Sequence, residues 1–213
     1  MTALVVIAKE CLPGMVKTRL SPPFSLGQAA QLASASLSDT LAAASAVNAD
    51  RKILYFDGKI VPAEAAGFEI VSQSGGALDE RLAFIFDVLS EPVFLVGMDT
   101  PQITPALIEA ACAQWPTNVD AWFGPATDGG FWALGLGRLP NRGAIVRGVP
   151  MSTDSTGQRQ LERLERAELR VQILPQLTDV DTAETLIDVA RLIPLSALSR
   201  ALARVQDCLK GAP

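Results

Sequence analysis

Residues 92–101 read Pro-Val-Phe-Leu-Val-Gly-Met-Asp-Thr-Pro, a short apolar run that ends by delivering an acid. Val93, Phe94, Leu95 and Val96 show no alternation, so both faces of the strand they predict need apolar cover. A strand finds such cover inside a parallel sheet flanked by helices. The run stops at Gly97 and places Asp99 at the carboxyl edge of the strand, where open α/β sheets gather their ligands. Thr104 and Pro105 then supply an N-cap and a first helical residue. On position alone, capping this turn is an equal use of Asp99.

The rest of the chain repeats that grammar. Leu4 to Ala8 is a second uninterrupted apolar strand, opening into a basic loop over residues 9–23. Ser25 and Gln28 have capping-box spacing ahead of an Ala/Leu/Ser helix to about Ala46, and Arg51 to Phe56 returns as a strand. Further strands are expected at Phe68 to Val71, Asp120 to Pro125, Phe131 to Leu136 and Leu169 to Leu174. Helices are expected at Leu78 to Leu89, Thr104 to about Trp115, and from a Ser152 or Thr153 cap through Gln158, Leu161 and Leu164. Residues 141–150 read as loop, Thr182 as the cap of a helix over Ala183 to Ile193, and Leu195 to Leu209 as an amphipathic helix packing on the body or on another subunit. No repeat or linker divides the 213 residues, which predicts one α/β domain over 1–213.

Composition narrows the chemistry. The formal charge of −5 disfavours a nucleic-acid partner, whose phosphates need a basic face. There is no basic leader and no apolar run of membrane-spanning length, so a cytoplasmic protein without a membrane partner is expected. Cys11, Cys112 and Cys208 form no ligand spacing and fit a reducing compartment. Histidine is absent, which removes His-ligated zinc and Ser-His-Asp or Cys-His catalysis together.

Four loops that follow strands carry the remaining candidates: Lys17-Thr18-Arg19, Asp99, the Asp128-Gly129-Gly130 turn, and Asp179/Asp181. At the carboxyl edge of one sheet they suit a nucleotide di- or triphosphate, with cations on phosphate oxygens and carboxylates holding Mg²⁺ or Mn²⁺ against the same phosphates. Each has a plainer reading alone: a solvated charge run, a hairpin turn at Asp128, an Asx turn at Asp179. Neither GxxxxGK[ST] nor GxGxxG follows the first strand, so a P-loop or dinucleotide reader is disfavoured.

Pro13-Gly14-Met15-Val16-Lys17-Thr18-Arg19-Leu20, Gly97-Met98-Asp99-Thr100-Pro101, Gly124-Pro125-Ala126-Thr127-Asp128-Gly129-Gly130-Phe131 and Asp179-Val180-Asp181-Thr182 together resemble the DUF2064 group, also called rSAM/selenodomain-associated transferase 1. That group is similar to the GT-A glycosyltransferase and nucleotidyltransferase superfamily, including molybdenum-cofactor and 2-phospholactate guanylyltransferases. The resemblance spans the first strand to about Ile193 and implies a three-layer α/β/α Rossmann-like domain with a mixed, mainly parallel sheet, binding a nucleotide sugar or NTP. It implies base contacts at Ala8 and Lys9, phosphate contacts at Gly14, Lys17, Thr18 and Arg19, and Mg²⁺ or Mn²⁺ on Asp99 and Asp181. Asp128 would face a small-molecule acceptor or assist the metal and, with Lys17, act in catalysis. The implied reaction is glycosyl transfer; nucleotidyl transfer and nucleotide binding without turnover are the alternatives, and a homo-oligomer is compatible with all three. One acid in Gly97-Met98-Asp99, where glycosyltransferases of this fold carry Asp-x-Asp, leans toward nucleotidyl transfer. The first loop lacks the Gly-rich pattern of the guanylyltransferases, which leans away from it. Cys11 inside that loop is expected to be a neutral thiol.

Overall fold

The computed structural model describes residues 1–112 and 114–210, with the side chains of 209 and 210 left aside. Strands β1 (Ala3–Lys9), β2 (Arg51–Asp57), β3 (Glu69–Ser72), β4 (Val93–Gly97), β5 (Ala121–Pro125), β6 (Phe131–Leu136) and β7 (Val171–Ile173) form one sheet in the order β3-β2-β1-β4-β6-β5-β7. All ladders are parallel except β4–β6 and β5–β6, so β6 alone runs against the rest. The uninterrupted apolar runs of β1 and β4 occupy adjacent central positions, as burial on both faces demands.

Helices α1 (Leu26–Ala46), α2 (Leu78–Val88), α3 (Pro105–Cys112), α4 (Arg142–Val146) and α5 (Thr156–Arg166) cover the two faces. Leu4, Val6 and Ala8 of β1 pack with Leu37 and Leu41 of α1 and Ile108 of α3. Ala3 and Val5 face the other way, toward Leu82 and Phe86 of α2, Val146 of α4 and Leu164 of α5. The period of two along β1 thus divides the core into two apolar layers. A third cluster lies outside α1, where Leu20, Phe24, Ala29 and Leu32 meet α6 (Ala183–Leu192) and α7 (Ala197–Lys210).

The caps expected at Ser25 and Thr182 are present. Ser25 Oγ accepts the Gln28 N–H while Gln28 Oε1 accepts that of Ser25, and the Thr182 hydroxyl accepts the Thr185 N–H. Several local expectations are corrected. Residues 142–146 are helical rather than loop: Asp87 Oδ1 accepts the Gly143 N–H, and Val146 is fully buried, so tertiary contacts hold a turn too short to announce itself. Helix α5 begins after Ser155 rather than at a Ser152 or Thr153 cap; Ser155 makes no side-chain cap bond, and the turn before the helix is held by the Thr153 N–H donating to Thr156 Oγ1. The described part of α3 ends at Cys112; Ala113 lies outside the described residues, and the Trp115 indole donates to the Val119 carbonyl. Helix α7 packs on the body, with Asp39 accepting the Ala197 and Leu198 N–H groups.

Candidate active site

Lys17 is the centre of the site. Its ammonium lies 2.8 Å from Asp99 Oδ1 and 2.7 Å from Asp181 Oδ1, joining residues 82 and 164 positions away in sequence. The Lys17 side chain is 7% exposed, whereas those of Asp99 and Asp181 are 42% and 31% exposed, so the carboxylates open to solvent over a buried cation. Burial alone would lower the lysine pKa, but the two carboxylates and their hydrogen bonds outweigh it and hold it above the ordinary value. Lys17 adopts the left-handed conformation, φ 46° and ψ 40°, an unusual backbone for a side chain of this size. Behind it, Val16 anchors the loop against Ala30 and Ala33 of α1.

The C-terminal segment reaches this point by running along the sheet. Beyond β7 it continues beside β5, with Leu174 N–H donating to Phe123, Leu177 N–H to Pro125, and Thr127 N–H to Leu177. It then crosses to the loop after β4, where Gln102 Nε2 donates to the Thr178 carbonyl at 2.6 Å and Val180 N–H to that of Asp99 at 2.9 Å. Asp181 is delivered beside Asp99 by backbone bonds rather than by side-chain attraction alone.

Asp128 sits at the tip of the β5–β6 hairpin, its Oδ1 accepting the Gly130 N–H at 2.8 Å, so the plain turn chemistry is present. Gly129 there has φ +87°, and a Cβ would lie 1.9 Å from the Asp154 carbonyl, so the turn admits only glycine. The same Asp128 is close enough to act on Asp179, for which the sequence offered both a place in the acidic pair with Asp181 and an Asx turn. Asp179 Oδ1 is buried without a hydrogen-bond partner. Burial first, then the charges of Asp128 and Asp99, push its carboxyl up to about 7.

Ala8 and Lys9 end β1 at the same carboxyl edge. The Ala8 carbonyl accepts Gln73 Nε2 at 2.8 Å, and the Lys9 N–H donates to the Met98 thioether at 3.4 Å. Gln73 Oε1 in turn accepts Arg81 Nη1, a pair that sequence reasoning missed because it joins the end of β3 to α2. Gly14 turns the exposed loop with φ +79°, and Thr18 opens a 3₁₀ turn with Arg19. Arg19 is exposed and makes no hydrogen bond or ion pair among the described residues. It is not drawn into the Lys17 cluster. The Cys11 thiol is pushed up to about 11, chiefly by burial and then by the Asp99 charge, so it is neutral as expected.

The oxygens of Asp99 and Asp181 that share Lys17 are no further apart than the sum of the two contact distances, 5.5 Å. No group of three Asp, Glu or Cys side chains among the described residues is arranged to hold a metal ion. Two carboxylates with open coordination beside them fit Mg²⁺ or Mn²⁺, ions commonly bound by one or two protein carboxylates together with substrate phosphates. A separate concavity of about 330 Å³, lined by Phe86, Asp87, Leu89, Ser90, Arg138 and Arg142 among others, lies toward the amino end of β4, opposite Asp99. No described helix is long and apolar enough to cross a membrane.

The sheet order, the single reversed strand and the helices on both faces define a three-layer α/β/α fold with a mixed, mainly parallel sheet. The chain belongs to DUF2064, described as an uncharacterized protein conserved in bacteria, whose family model matches residues 29–153. A candidate nucleotide-diphospho-sugar transferase from Desulfovibrio desulfuricans G20 is similar with a TM-score of 0.84 at 24% identity, over 98% of this chain and 96% of that one. A nucleotidyl transferase from Methanothermobacter thermautotroptrophicus gives 0.57 at 13% identity, over 89% and 95%. Glucosyl-3-phosphoglycerate synthase from Mycobacterium tuberculosis, solved with Mn²⁺, uridine diphosphate and glucosyl-3-phosphoglycerate, gives 0.50 at 11%, over 84% and 70%. At these identities the likeness establishes the fold. No curated protein matches the sequence significantly.

Proposed function

We propose that this protein is a single-domain, divalent-metal-dependent transferase that takes a nucleotide sugar as donor and passes the sugar to a small-molecule acceptor. The observation that carries the reading is the pairing of Lys17 with both Asp99 and Asp181 at the carboxyl edge of the sheet, which puts cation and carboxylates within reach of one diphosphate. The likeness over nearly the whole chain to a candidate nucleotide-diphospho-sugar transferase supports it, as does the Mn²⁺ and nucleoside diphosphate bound by a more distant neighbour.

In this reading the Ala8–Lys9 edge of β1 holds the base, and the loop carrying Gly14, Lys17, Thr18 and Arg19 holds the phosphates. Asp99 and Asp181 hold Mg²⁺ or Mn²⁺, which as a Lewis acid neutralises charge on the departing diphosphate. An acceptor hydroxyl forms a bond to the anomeric carbon as the carbon–oxygen bond to the nucleoside diphosphate breaks. Asp128, exposed at the hairpin tip, faces the acceptor and takes the hydroxyl proton, while Lys17 offsets charge on the leaving group.

One observation favours a second reading. The β4 edge supplies a single acid, Asp99, the pattern expected of nucleotidyl transfer, in which an acceptor phosphate attacks the α-phosphorus and pyrophosphate leaves. A panel of nucleotide sugars and nucleoside triphosphates, each with Mg²⁺ or Mn²⁺, separates the two. Release of nucleoside diphosphate from a sugar donor supports the first, and pyrophosphate from a triphosphate the second. Nucleotide binding with neither product identifies a non-catalytic module.

A further inference from the structure

The carboxylate oxygens assigned to the metal already carry a cation. Lys17 Nζ lies 2.8 Å from Asp99 Oδ1 and 2.7 Å from Asp181 Oδ1, within the only ion pairs that either acid makes among the described residues. Mg²⁺ bound by the same two oxygens would sit about 2.0–2.1 Å from each. It would then lie only a few ångströms from the ammonium, with like charges facing each other beside a 7% exposed lysine where water screens poorly. The two cations compete for these oxygens. The displaced ammonium needs a new anion in place of Asp99 and Asp181, its two ion-pair partners among the described residues. A donor diphosphate brings that anion with it.

We propose that Lys17 is the resident counter-cation of Asp99 and Asp181, and that divalent metal replaces it there as Lys17 transfers to the donor's phosphates. The site then discriminates against free metal and accepts it together with the nucleotide. This inference rests on the metal-bridged reading above and deepens it by assigning an order to the cations. The left-handed backbone at Lys17, anchored by buried Val16 on one side and the 3₁₀ turn on the other, restricts the movement to the side chain.

Binding of Mn²⁺ alone, followed by the electron paramagnetic resonance of the free ion, tests the exchange in the wild type, Lys17→Met and Asp99→Asn proteins. Lys17→Met is expected to bind Mn²⁺ at least about tenfold more tightly than the wild type, since a competing positive charge is gone, and Asp99→Asn to lose the site. Equal or weaker binding by Lys17→Met, with Asp99 still required, overturns the exchange and leaves the metal site standing. Absence of Mn²⁺ binding from both Lys17→Met and the wild type overturns the metal-bridged reading as well. Acetylation of Lys17 in the wild type, read by mass spectrometry, gives a second measurement that does not depend on the variant folding. At Mn²⁺ concentrations that the resonance titration shows to fill the wild-type site, its rate should rise at least about threefold as the ion pairs open, and an unchanged rate there overturns the proposal.

Discussion

The Val180 N–H donates to the Asp99 carbonyl at 2.9 Å, a main-chain bond between the loop after β4 and the approach to α6. Because it is made by backbone, it survives changes to either functional carboxylate. Asp99 and Asp181 are therefore open to substitutions that test chemistry without dismantling the loops that carry them.

Asp99→Asn should fold with an unliganded Tm within a few degrees of wild type, since the lost ion pair is 42% exposed at Asp99 and Asp181 keeps hold of Lys17. Wild type should gain several degrees with nucleotide and Mg²⁺ or Mn²⁺ present together, about 2.7 kcal/mol at a ligand concentration of 100 Kd. The variant should lose the metal-dependent part of that gain. A variant that responds to the pair as wild type does makes Asp99 a turn cap and no more.

Arg19→Ala separates ligand binding from stability. The side chain is exposed and makes no ion pair among the described residues, so its loss should move Tm by no more than about 1–2 °C. A charged contact to phosphate is worth about 1.5–3 kcal/mol, so nucleotide affinity should fall by about tenfold or more. Calorimetric titration with an accepted donor would reveal unchanged affinity if Arg19 is merely a solvated charge.

Asp179 carries a pH-dependent cost. Its folded-state pKa of about 7 lies above the ordinary 3.8, so between those values the folded protein holds a proton that the unfolded chain has released. Stability then falls as pH rises through that window, and the penalty is complete above pH 7. Asp179→Asn should therefore stabilise the fold relative to wild type at pH 8, by a few kcal/mol at most, seen as a higher Tm, with the difference closing toward pH 4. Parallel melting profiles across that range would place the carboxyl in solvent.

The thiols should divide by burial. Cys112 is buried and its pKa is raised to about 12 by desolvation, and Cys11 is half-buried and raised to about 11, while Cys208 is exposed. Iodoacetamide at pH 8 should modify Cys208 first and leave Cys112 unlabelled in the folded protein, as peptide mass spectrometry would show. Early labelling of Cys112 would mean that α3 opens readily.

The sequence by itself determined the elements whose cause is local. Unbroken apolar runs at β1 and β4 demanded a covered parallel sheet, and the Ser25/Gln28 and Thr182 signals marked helix starts through hydrogen bonds spanning three residues. It also limited the chemistry, since a chain without histidine offers no imidazole as acid, base or metal ligand. Tertiary structure decided what depends on distance in space. Helix α4 exists because Asp87 and the core support a five-residue turn, and Gln73 finds Arg81 only once β3 and α2 are packed. The pairing of Lys17 with Asp181 across 164 residues, and the burial that leaves Asp179 unpartnered, have no local signature. Charge energetics follow separation and solvent exposure, and only the folded sheet edge specifies either.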